Sequence, residues 1–457
     1  MKKTVNKFLV VMVVFVLCLT PIQMSAGQPY VSDCETASPF DLLAAERGVE
    51  FATNYVRTLT MLNNFIDSLP VSRTGELMFP DYFGGAYIDD DGNAVLLMVN
   101  MPVAPPVLES RDAAHKPISA HIEQMQTSEG VAVREVEFAY SDLWAAIHAL
   151  NDLIPPTSED MAAVNAGGWH LDVIGNRVVV ELIDFTEDAE NVFREAVLDA
   201  PMLVFKQSPG PVMLDLEPVE LDYWLQEYVS YDVDFDEMSI APFNTLVAST
   251  GGAIDARRDG VPTAGGSIGF RASLGGRRGF VTAAHIGRAF GGMQAGISVY
   301  VPGRQHRIGH VASMQHFDLF GTDAVFVTLE PDAEIRNNAG GTTIGTQVTH
   351  LFVGQEIGAA GRASPPRTGR VTAVGRRATF GDVMGFNFTV ENAMVSTITV
   401  ASGDSGGIVF DSVSGCVVGI QVGPNAGHNV TPVVAGGGSV TSVVSEINRR
   451  LGTTVRP

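Results

Sequence analysis

Apolar positions follow two different patterns in the two halves of the chain. In the first half they recur at helical spacing over about residues 40–69 and 141–153, which predicts two amphipathic helices. Beyond residue 251, short valine-rich runs are separated by Gly-Gly pairs and other turn residues, a pattern typical of many short strands. The sequence therefore predicts an α+β first half followed by an all-β second half.

The first half also contains an internal repeat. Residues 84–95 align without gaps on residues 167–178, with six identities in twelve positions. Each copy has apolar stretches on both sides of a Gly-Asn pair, which predicts a β-hairpin, and each copy follows one of the predicted helices. We therefore expect two helix-plus-hairpin units within residues 27–204, with chance similarity as the alternative.

The N-terminus has the pattern of an export signal. Three lysines precede an unbroken apolar run at residues 8–19, and small residues follow at 25–27. Such a run is too short to span a bilayer and fits the apolar region of a signal peptide. We expect residues 1–26 to be removed and the mature chain to be secreted without a stable membrane anchor; an uncleaved anchor is the alternative.

Charge divides the chain at the same place as the apolar pattern. The 457 residues carry a net charge of −22. Residues 27–240 hold 9 basic and 38 acidic residues, a charge of −29, whereas residues 241–457 hold 17 arginines, no lysine and 13 acidic residues, a charge of +4. This change indicates a domain boundary, and the opposite charges favour docking of one half onto the other. The acidic balance argues against binding to nucleic acid.

The predicted boundary lies in a proline-containing acidic segment at residues 205–250. This composition extends and self-repels rather than packing. We expect a linker that is open to a protease, with a processing site within it or around Ser249 and Thr250, so that the second domain comprises residues 251–457.

The sequence gives little support for a metal site or a disulfide framework. There are only three cysteines, Cys18, Cys34 and Cys416, which excludes a multi-cysteine zinc site. The acidic run at residues 89–91 lacks the downstream carboxylate of a calcium loop, so it predicts a solvated turn. The remaining candidates are histidines without a completing ligand: His170, His306, His310 and His316. We expect no metal and no cofactor.

Three short motifs in the second half carry residues that can perform chemistry. The first, Phe-Val-Thr-Ala-Ala-His, is a buried-strand pattern that ends at His285. The second, Gly-Thr-Asp before an apolar run, places Asp323 at the entry to a strand. The third, Gly-Asp-Ser-Gly-Gly, centres on Ser405. Together they supply a base, an acid and a nucleophile within one strand-rich block.

These residue types point to nucleophilic catalysis by serine. A serine nucleophile needs a base within hydrogen-bond reach and a carboxylate that fixes the tautomer of that base. The glycines around Ser405 permit a sharp turn that aims the amides of Gly403 and Ser405 at a developing oxyanion. Asp318 is the competing acid, but the apolar strand after Asp323 would bury and fix its carboxylate. The sequence predicts His285, Asp323 and Ser405 as a catalytic triad.

On these motifs, residues 251–451 resemble the chymotrypsin-like serine proteases, and within them the streptogrisin and alpha-lytic protease branch. The opening residues 251–254 and 267–270 look like the first strands of that branch, and residues 439–451 look like its terminal helix. The resemblance implies an all-β double six-stranded antiparallel barrel with the site between the barrels. It also implies that the acidic first half is similar to the branch's pro-regions, which assist folding and inhibit the enzyme.

The chain departs from this family at several positions. The family usually pairs a cysteine just after the catalytic histidine with one before the Ser-Ile-Gly-Phe run, and Ile286 and Gly266 stand in those places. Because both cysteines are absent, neither leaves an unpaired thiol. Cys416 lies in an apolar stretch at residues 415–420, which predicts a small buried hydrophobic residue. Ile408 replaces the family's proline, a change that should be tolerated.

The resemblance also implies where substrate would bind. It builds the primary pocket from two short segments, represented by Thr399, Val400, Ser402, Gln421, Val422 and Gly423. Residues 399–402 include no Asp or Glu, which disfavours selection for Lys or Arg, so we expect small or medium apolar side chains. We expect Asp404 to be structural, with its carboxylate meeting an arginine or a backbone amide inside the barrel.

The sequence therefore predicts a secreted serine endopeptidase that is made as a precursor and hydrolyses peptide bonds through an acyl-enzyme. Its expected partners are protein or peptide substrates and its own acidic pro-region. One alternative is a protease that keeps its N-terminal half as a regulatory module. The other is an inactive binding protein on a protease fold, against which the complete set of catalytic residues argues.

Overall fold

The computed structural model describes residues 39–72, 76–99, 122–208, 212–214, 246–286, 295–313, 317–319, 321–348, 350–382, 387–425 and 438–456. The predicted signal segment, Cys18, Cys34, His316 and most of the predicted linker lie outside these ranges. Within them, no helix combines the length and the apolar character needed to cross a membrane.

The acidic half consists of two units of the same design. In each unit a helix precedes a hairpin, and a further strand pairs in parallel with the second hairpin strand. The first unit contains α1 (Pro39–Arg47), α2 (Val49–Ser68), β1 (Phe83–Ile88), β2 (Ala94–Val99) and β3 (Val131–Val136). The second contains α3 (Tyr140–Leu153), α4 (Ser158–Ala163), β4 (Ala166–Asp172), β5 (Arg177–Leu182), α5 (Glu187–Ala196) and β6 (Leu203–Gln207). Both hairpins shift register beside a glycine with positive φ, Gly85 at 121° and Gly168 at 158°.

The first sheet of the second half is antiparallel and contains nine strands. After the connecting strands β7 (Val212–Leu214) and β8 (Leu246–Ser249) come β9 (Ala253–Arg258), β10 (Val261–Ser267), β11 (Arg271–Leu274), β12 (Arg277–Ala283), β13 (Ser298–Tyr300), β14 (Arg307–His310), β15 (Phe317–Asp318) and β16 (Ala324–Leu329). The pairing order is β10-β9-β13-β14-β16-β12-β11, with β15 also on β16. The ninth strand is β26 (Thr454–Val455), which returns to pair with β11. The resemblance implies six strands; two of the additional ones are the two-residue strands β15 and β26.

The second sheet closes into a six-stranded barrel. After the short strands β17 (Ala333–Arg336), β18 (Asn338–Ala339) and β19 (Thr342–Thr343), it contains β20 (Glu356–Ala360), β21 (Arg367–Asp382), β22 (Asn387–Ser396), β23 (Ile408–Asp411), β24 (Val417–Pro424) and β25 (Ser439–Val443). The order is β20-β23-β24-β25-β22-β21, and β20 also pairs with β21. The helix α6 (Val444–Leu451) follows β25 directly and leads back to the first sheet.

The acidic half continues the second sheet. β4 pairs antiparallel with β21, so that β4, β5 and β6 extend the sheet beyond the barrel. The two halves also share one hydrophobic core. Tyr55 of α2 and Trp169 of β4 belong to the same buried cluster as Phe352, Ile357 and Val371 of the second half. Backbone pairing and apolar burial thus join the halves.

Parts of the predicted linker are packed. β6 pairs with β5 as the outermost strand of the extended sheet and ends at Gln207, β7 pairs in parallel with β21, and β8 pairs in parallel with β17. Thr250 is buried, and its amide donates to the carbonyl of Arg336 at 3.1 Å. The expectation of an unpacked linker therefore fails for these stretches, because each finds an open strand edge. Cleavage of the chain around Ser249 and Thr250 would require β8 to separate from β17.

Among the described residues, three ion pairs join the two halves. In two of them the second half supplies the arginine, and in the third it supplies the carboxylate. The ion pairs are Arg47 with Glu356, Arg370 with Asp90, and Arg376 with Glu181. The Arg376 pair is bidentate, with N–O distances of 2.6 and 2.9 Å. In the Arg47 pair the acid belongs to the second half, and burial raises the pKa of Glu356 to about 7 although Arg47 and Arg370 oppose this shift.

The side chain of Arg377, in β21, is buried against residues of the acidic half. Its side chain is fully buried, and the guanidinium lies 4.6 Å from the ring centroid of Trp169. It donates to the carbonyls of Ile154 at 2.6 Å and Pro155 at 2.5 Å. Burial lowers the pKa of Arg377 to about 10. A charge of the second half is therefore stabilised by carbonyls and an aromatic face of the acidic half, together with Glu391 of its own half at 3.5 Å.

Candidate active site

The first sheet brings His285 and Asp323 together by strand pairing. β12 ends two residues before His285, and β16 begins one residue after Asp323. Because β12 and β16 are antiparallel, with Ala283 opposite Ala324, the histidine and the aspartate emerge at the same point. The Ala284 amide donates to the Asp323 carbonyl at 2.9 Å and completes the junction. Two segments 38 residues apart in sequence are thereby fixed side by side.

His285 lies between Asp323 and Ser405 in one hydrogen-bonded row. Its Nδ1 is 2.5 Å from Oδ2 of Asp323, and its Nε2 is 2.9 Å from Oγ of Ser405. The His285 amide also donates to the other carboxylate oxygen of Asp323 at 2.8 Å. Asp323 is fully buried, and His285 is only 4% exposed. With Nδ1 facing a carboxylate, Nε2 is the nitrogen available to accept a proton from the serine.

The competing acid, Asp318, is engaged elsewhere. Its Oδ2 accepts a hydrogen bond from Thr322 Oγ1 at 2.9 Å and lies 3.7 Å from Nε of Arg450. Asp323 has φ of 49°, a conformation that is costly for a residue with a side chain. This turn aims both of its carboxylate oxygens at His285.

The Gly-Asp-Ser-Gly-Gly turn presents Ser405 and leaves two amides available. Gly403 and Gly406 have φ of 99° and 80°, which only glycine adopts easily. Within the described part of the chain, the amides of Gly403 and Ser405 donate to no protein acceptor. Ser267 of β10 anchors the turn, because its hydroxyl donates to the Gly403 carbonyl at 2.8 Å and its amide donates to the Ser405 carbonyl at 2.9 Å. Sequence analysis did not assign this role to Ser267.

Asp404 forms the buried support of this turn. Its Oδ1 accepts the amides of Ala363 and Ser364, each at 3.0 Å, and its Oδ2 accepts the amide of Ala401 at 3.0 Å. Arg367 is its arginine partner, at 2.8 Å from Oδ2. Asp404 therefore meets both an arginine and backbone amides, and the carboxylate is saturated.

The residues predicted to bind substrate divide into two groups. Thr399 and Ser402 are exposed and Val400 is half-buried, so these side chains can face a ligand. Gln421 is 1% exposed, accepts from Arg367 at 2.9 Å and donates to the Ala360 carbonyl at 3.3 Å. Its side chain thus points into the barrel, contrary to a role as a pocket wall, because it satisfies two buried polar groups.

Val422 and Gly423 can contribute backbone rather than side chain. Val422 is fully buried, and its carbonyl lies 3.4 Å from Ser405 Oγ. The pairing of β24 with β23 reaches only Ile420, whereas pairing with β25 continues to Pro424. Gln421 still exchanges backbone hydrogen bonds with Gly406 and Gly407, each at 2.8 Å. Beyond Gln421, among the described residues, this edge of β24 has no pairing with β23 on the side of Ser405, and an extended peptide could align there.

An aromatic pair that sequence analysis missed covers His285. The ring of Phe388 stacks on the imidazole with centroids 5.4 Å apart and planes at 17°, and Phe380 stacks on Phe388 at 5.2 Å. Phe380 pairs with Val212 of β7, so the connecting segment reaches the strand that bears this aromatic pair. In the sequence these two residues are only one phenylalanine on each of two neighbouring strands, and nothing in that pattern predicts contact with His285.

Apolar packing occupies the two positions where the resemblance implied a disulfide. A Cβ atom added to Gly266 would lie 2.2 Å from Cδ1 of Ile286. The isoleucine therefore fills the space beside the glycine, and the two positions pack directly against each other. Cys416 is half-buried rather than buried, with Sγ 3.9 Å from Thr346 Oγ1, because β24 begins only at Val417.

The other candidates form no site within the described residues. His170 is half-buried beside Arg376 and Glu181, and burial together with Arg376 lowers its pKa to about 4. His310 lies 3.0 Å from Glu330, and the described ranges contain no group of three residues able to hold a metal ion. The carboxylate of Asp89 accepts two backbone amides of its own turn.

Comparisons with known proteins give a short family match and several similar structures. A family model described as a Pro-like C-terminal domain matches residues 147–208. A search of curated proteins found no match. The chain is similar to a glutamic acid specific serine protease that utilizes a novel histidine triad in substrate binding, with 25% identity over 46% of this chain and 100% of that chain and a TM-score of 0.35. It is also similar to a Nocardiopsis protease, with 21% identity, 46% and 100% coverage and a TM-score of 0.35. A Cellulomonas bogoriensis chymotrypsin gives 21% identity, 46% and 99% coverage and a TM-score of 0.34.

Proposed function

We propose that this chain is a serine endopeptidase that hydrolyses peptide bonds through an acyl-enzyme. The observation that carries the proposal is the hydrogen-bonded row of Asp323, His285 and Ser405. Such a row supplies a nucleophile, a base and the group that fixes the tautomer of the base. No cofactor enters the proposed mechanism.

In the proposed reaction, Ser405 Oγ attacks the carbonyl carbon of the substrate while its proton passes to Nε2 of His285. The buried Asp323 stabilises the imidazolium that forms. The amides of Gly403 and Ser405 receive the developing oxyanion, a contribution worth about 3 kcal/mol per donor. His285 then gives the proton to the leaving amine, and a water molecule releases the acyl group by the same steps in reverse.

We propose peptides bound in extended form as substrates, because the edge of β24 beyond Gln421 offers backbone pairing next to Ser405. The side chain before the cleaved bond would face Thr399, Val400 and Ser402. Since residues 399–402 include no acidic side chain, a small or medium apolar residue is the proposed preference. Mobile or extended segments of proteins can take the extended backbone form that this binding needs.

We propose further that the acidic half is a pro-region that assists folding and restrains the enzyme. The description of the family model over residues 147–208, the shared core and the continuous sheet support this role. A β-rich fold with many distant contacts forms slowly, so a partner that templates β21 would help it fold. With the signal-like segment at residues 8–19, we propose secretion as a precursor.

The test is the intact mass of the secreted protein after treatment with a fluorophosphonate, with Ser405→Ala as the comparison. We expect a labelled species of about 200 residues, the size of the second domain of a two-domain chain of this length, and no labelling of the variant. An unlabelled, shortened wild-type chain would contradict the proposal. If full-length chain remains unlabelled, brief proteolysis of the acidic half and renewed labelling distinguish a restrained enzyme from an inactive binding protein.

A retained regulatory module is the second candidate, because the halves share a core and a sheet. On this alternative both halves remain in one intact chain that is labelled at Ser405. On the precursor proposal, the labelled species lacks the acidic half, and Ser405→Ala stays uncut if cleavage is autocatalytic.

A further inference from the structure

One arginine packs against the loop that carries Asp323. Arg450 belongs to α6, and its guanidinium lies beside Gly321, two residues before Asp323. A Cβ atom added to Gly321 would lie 2.3 Å from Nη1 and 2.5 Å from Cζ of Arg450. The guanidinium thus fills the space that a side chain at position 321 would need.

Carboxylates from three elements surround this guanidinium. Nε of Arg450 donates to Glu446 of α6 at 2.7 Å, and Nη2 donates to Glu391 of β22. Nε also lies 3.7 Å from Oδ2 of Asp318 in β15. Arg450 therefore joins the C-terminal helix, the second sheet and the first sheet at one point.

These partners in turn hold the backbone before Asp323. The amide of Glu391 donates to the Gly321 carbonyl at 2.7 Å, and Thr322 Oγ1 donates to Asp318 at 2.9 Å. The Thr322 carbonyl accepts from the hydroxyl of Ser442. Asp323 follows with a φ of 49°, and a strained conformation persists only where its surroundings enforce it.

We propose that Arg450 is a positioning residue for the reaction: it holds the turn at residues 321–323 so that both carboxylate oxygens of Asp323 meet His285. This inference rests on the proposed function, because it concerns the same triad. Arg450 touches none of the reacting atoms and acts only through Asp323. A displacement of about 1 Å in such a group can cost about 100-fold in rate.

The test compares Arg450→Met with Arg449→Met. Arg449 is the adjacent residue of α6 and binds the same Glu446, with Nε 2.9 Å from Oε2, but its side chain is 63% exposed. It is therefore a matched control for the loss of one arginine and one ion pair. The concentration of active sites is determined by fluorophosphonate titration of one aliquot. The values of kcat and KM and the pH–rate profile are then measured on an untreated aliquot of the same enzyme.

For Arg450→Met we expect kcat to fall about 10- to 100-fold, with KM within a few-fold of wild type. The acid limb of the pH–rate profile should move to lower pH, because a displaced carboxylate stabilises the imidazolium less. Arg449→Met should keep the wild-type profile. Arg450→Lys should recover only part of the rate, since lysine restores the charge without the planar group.

Gly321→Ala tests the same contact from the other side and serves if Arg450→Met does not fold. Its methyl group would displace the guanidinium while every charge remains, so the same shift of the acid limb is expected. An unchanged pH profile in both variants, with wild-type rates per labelled site, overturns the inference. A wild-type enzyme that is not labelled at Ser405 overturns the proposed function instead.

Discussion

At the scale of single residues, two aspartates five positions apart have different surroundings. Asp323 is fully buried and bonds twice to His285, whereas Asp318 bonds to Thr322 and Arg450. The apolar run after Asp323 in the sequence favours Asp323 over Asp318 as the acid beside His285, because a residue at the start of a buried strand is itself buried. The positive φ of Asp323, by contrast, could not be predicted from the residues around it in the sequence.

We expect Asp323→Asn to lower kcat by about 10⁴-fold, because the amide stabilises the wrong tautomer of His285. Asp318→Asn is the comparison, and its effect should stay within about 10-fold, since a positioning contact is weakened rather than removed. Steady-state rates per fluorophosphonate-titratable site distinguish the two. Equal losses in both variants would contradict the assignment of the acid.

At the scale of secondary-structure elements, the motifs were predictable and the contacts between distant strands were not. His285, Asp323 and Ser405 stand in short local patterns that report strand ends and turns. The inward orientation of Gln421 depends on Arg367, which lies 54 positions earlier. The stacking of Phe388 on His285 likewise depends on how β22 meets the first sheet, and pairing of distant elements has no local signature.

The junction of β4 and β21 is held by the bidentate pair of Arg376 and Glu181. We expect Glu181→Gln to lower the free energy of unfolding by about 3 kcal/mol, because it leaves a buried arginine without its counter-charge. Glu137→Gln is the matched control: Glu137 pairs with Arg177 inside the acidic half, and its side chain is 62% exposed. Its effect should stay below about 1 kcal/mol.

Denaturant unfolding of both variants in a Ser405→Ala background, which prevents proposed self-cleavage, gives these values. Equal midpoints for the two variants would show that the pair at β21 adds no more than an exterior ion pair.

At the scale of the whole molecule, the contact between the halves includes a neutral histidine. His350 of the second half lies among the rings of Phe79, Tyr140 and Phe352, and its Nε2 is 3.4 Å from the Tyr140 hydroxyl. Burial lowers the pKa of His350 to about 4. A lowered pKa in the docked state means that its stabilisation is complete above the ordinary value near 6.5 and is lost as pH falls toward 4.

We therefore expect His350→Gln to reduce the pH dependence of unfolding. Between about pH 6 and pH 4.5 the wild-type free energy of unfolding should fall more steeply than that of the variant, by about 1.4 kcal/mol for each pH unit. Denaturant titrations of the Ser405→Ala chain across this range measure the difference in slope. Parallel curves for the two proteins would rule out His350 as the titrating group.

The continuous sheet has a consequence for the proposed mature enzyme. Release of the acidic half would leave the stretch of β21 around residues 374–378 without its neighbour β4. An unpaired strand edge can recruit a second chain and start aggregation, and positive charge on the edge opposes this association. Arg376 and Arg377 stand on that stretch. Arg376 would lose Glu181, and Arg377 would lose the carbonyls of Ile154 and Pro155 but keep Glu391 of β22 at 3.5 Å. The positive charge of these two side chains would then oppose pairing of this edge with a second copy of itself.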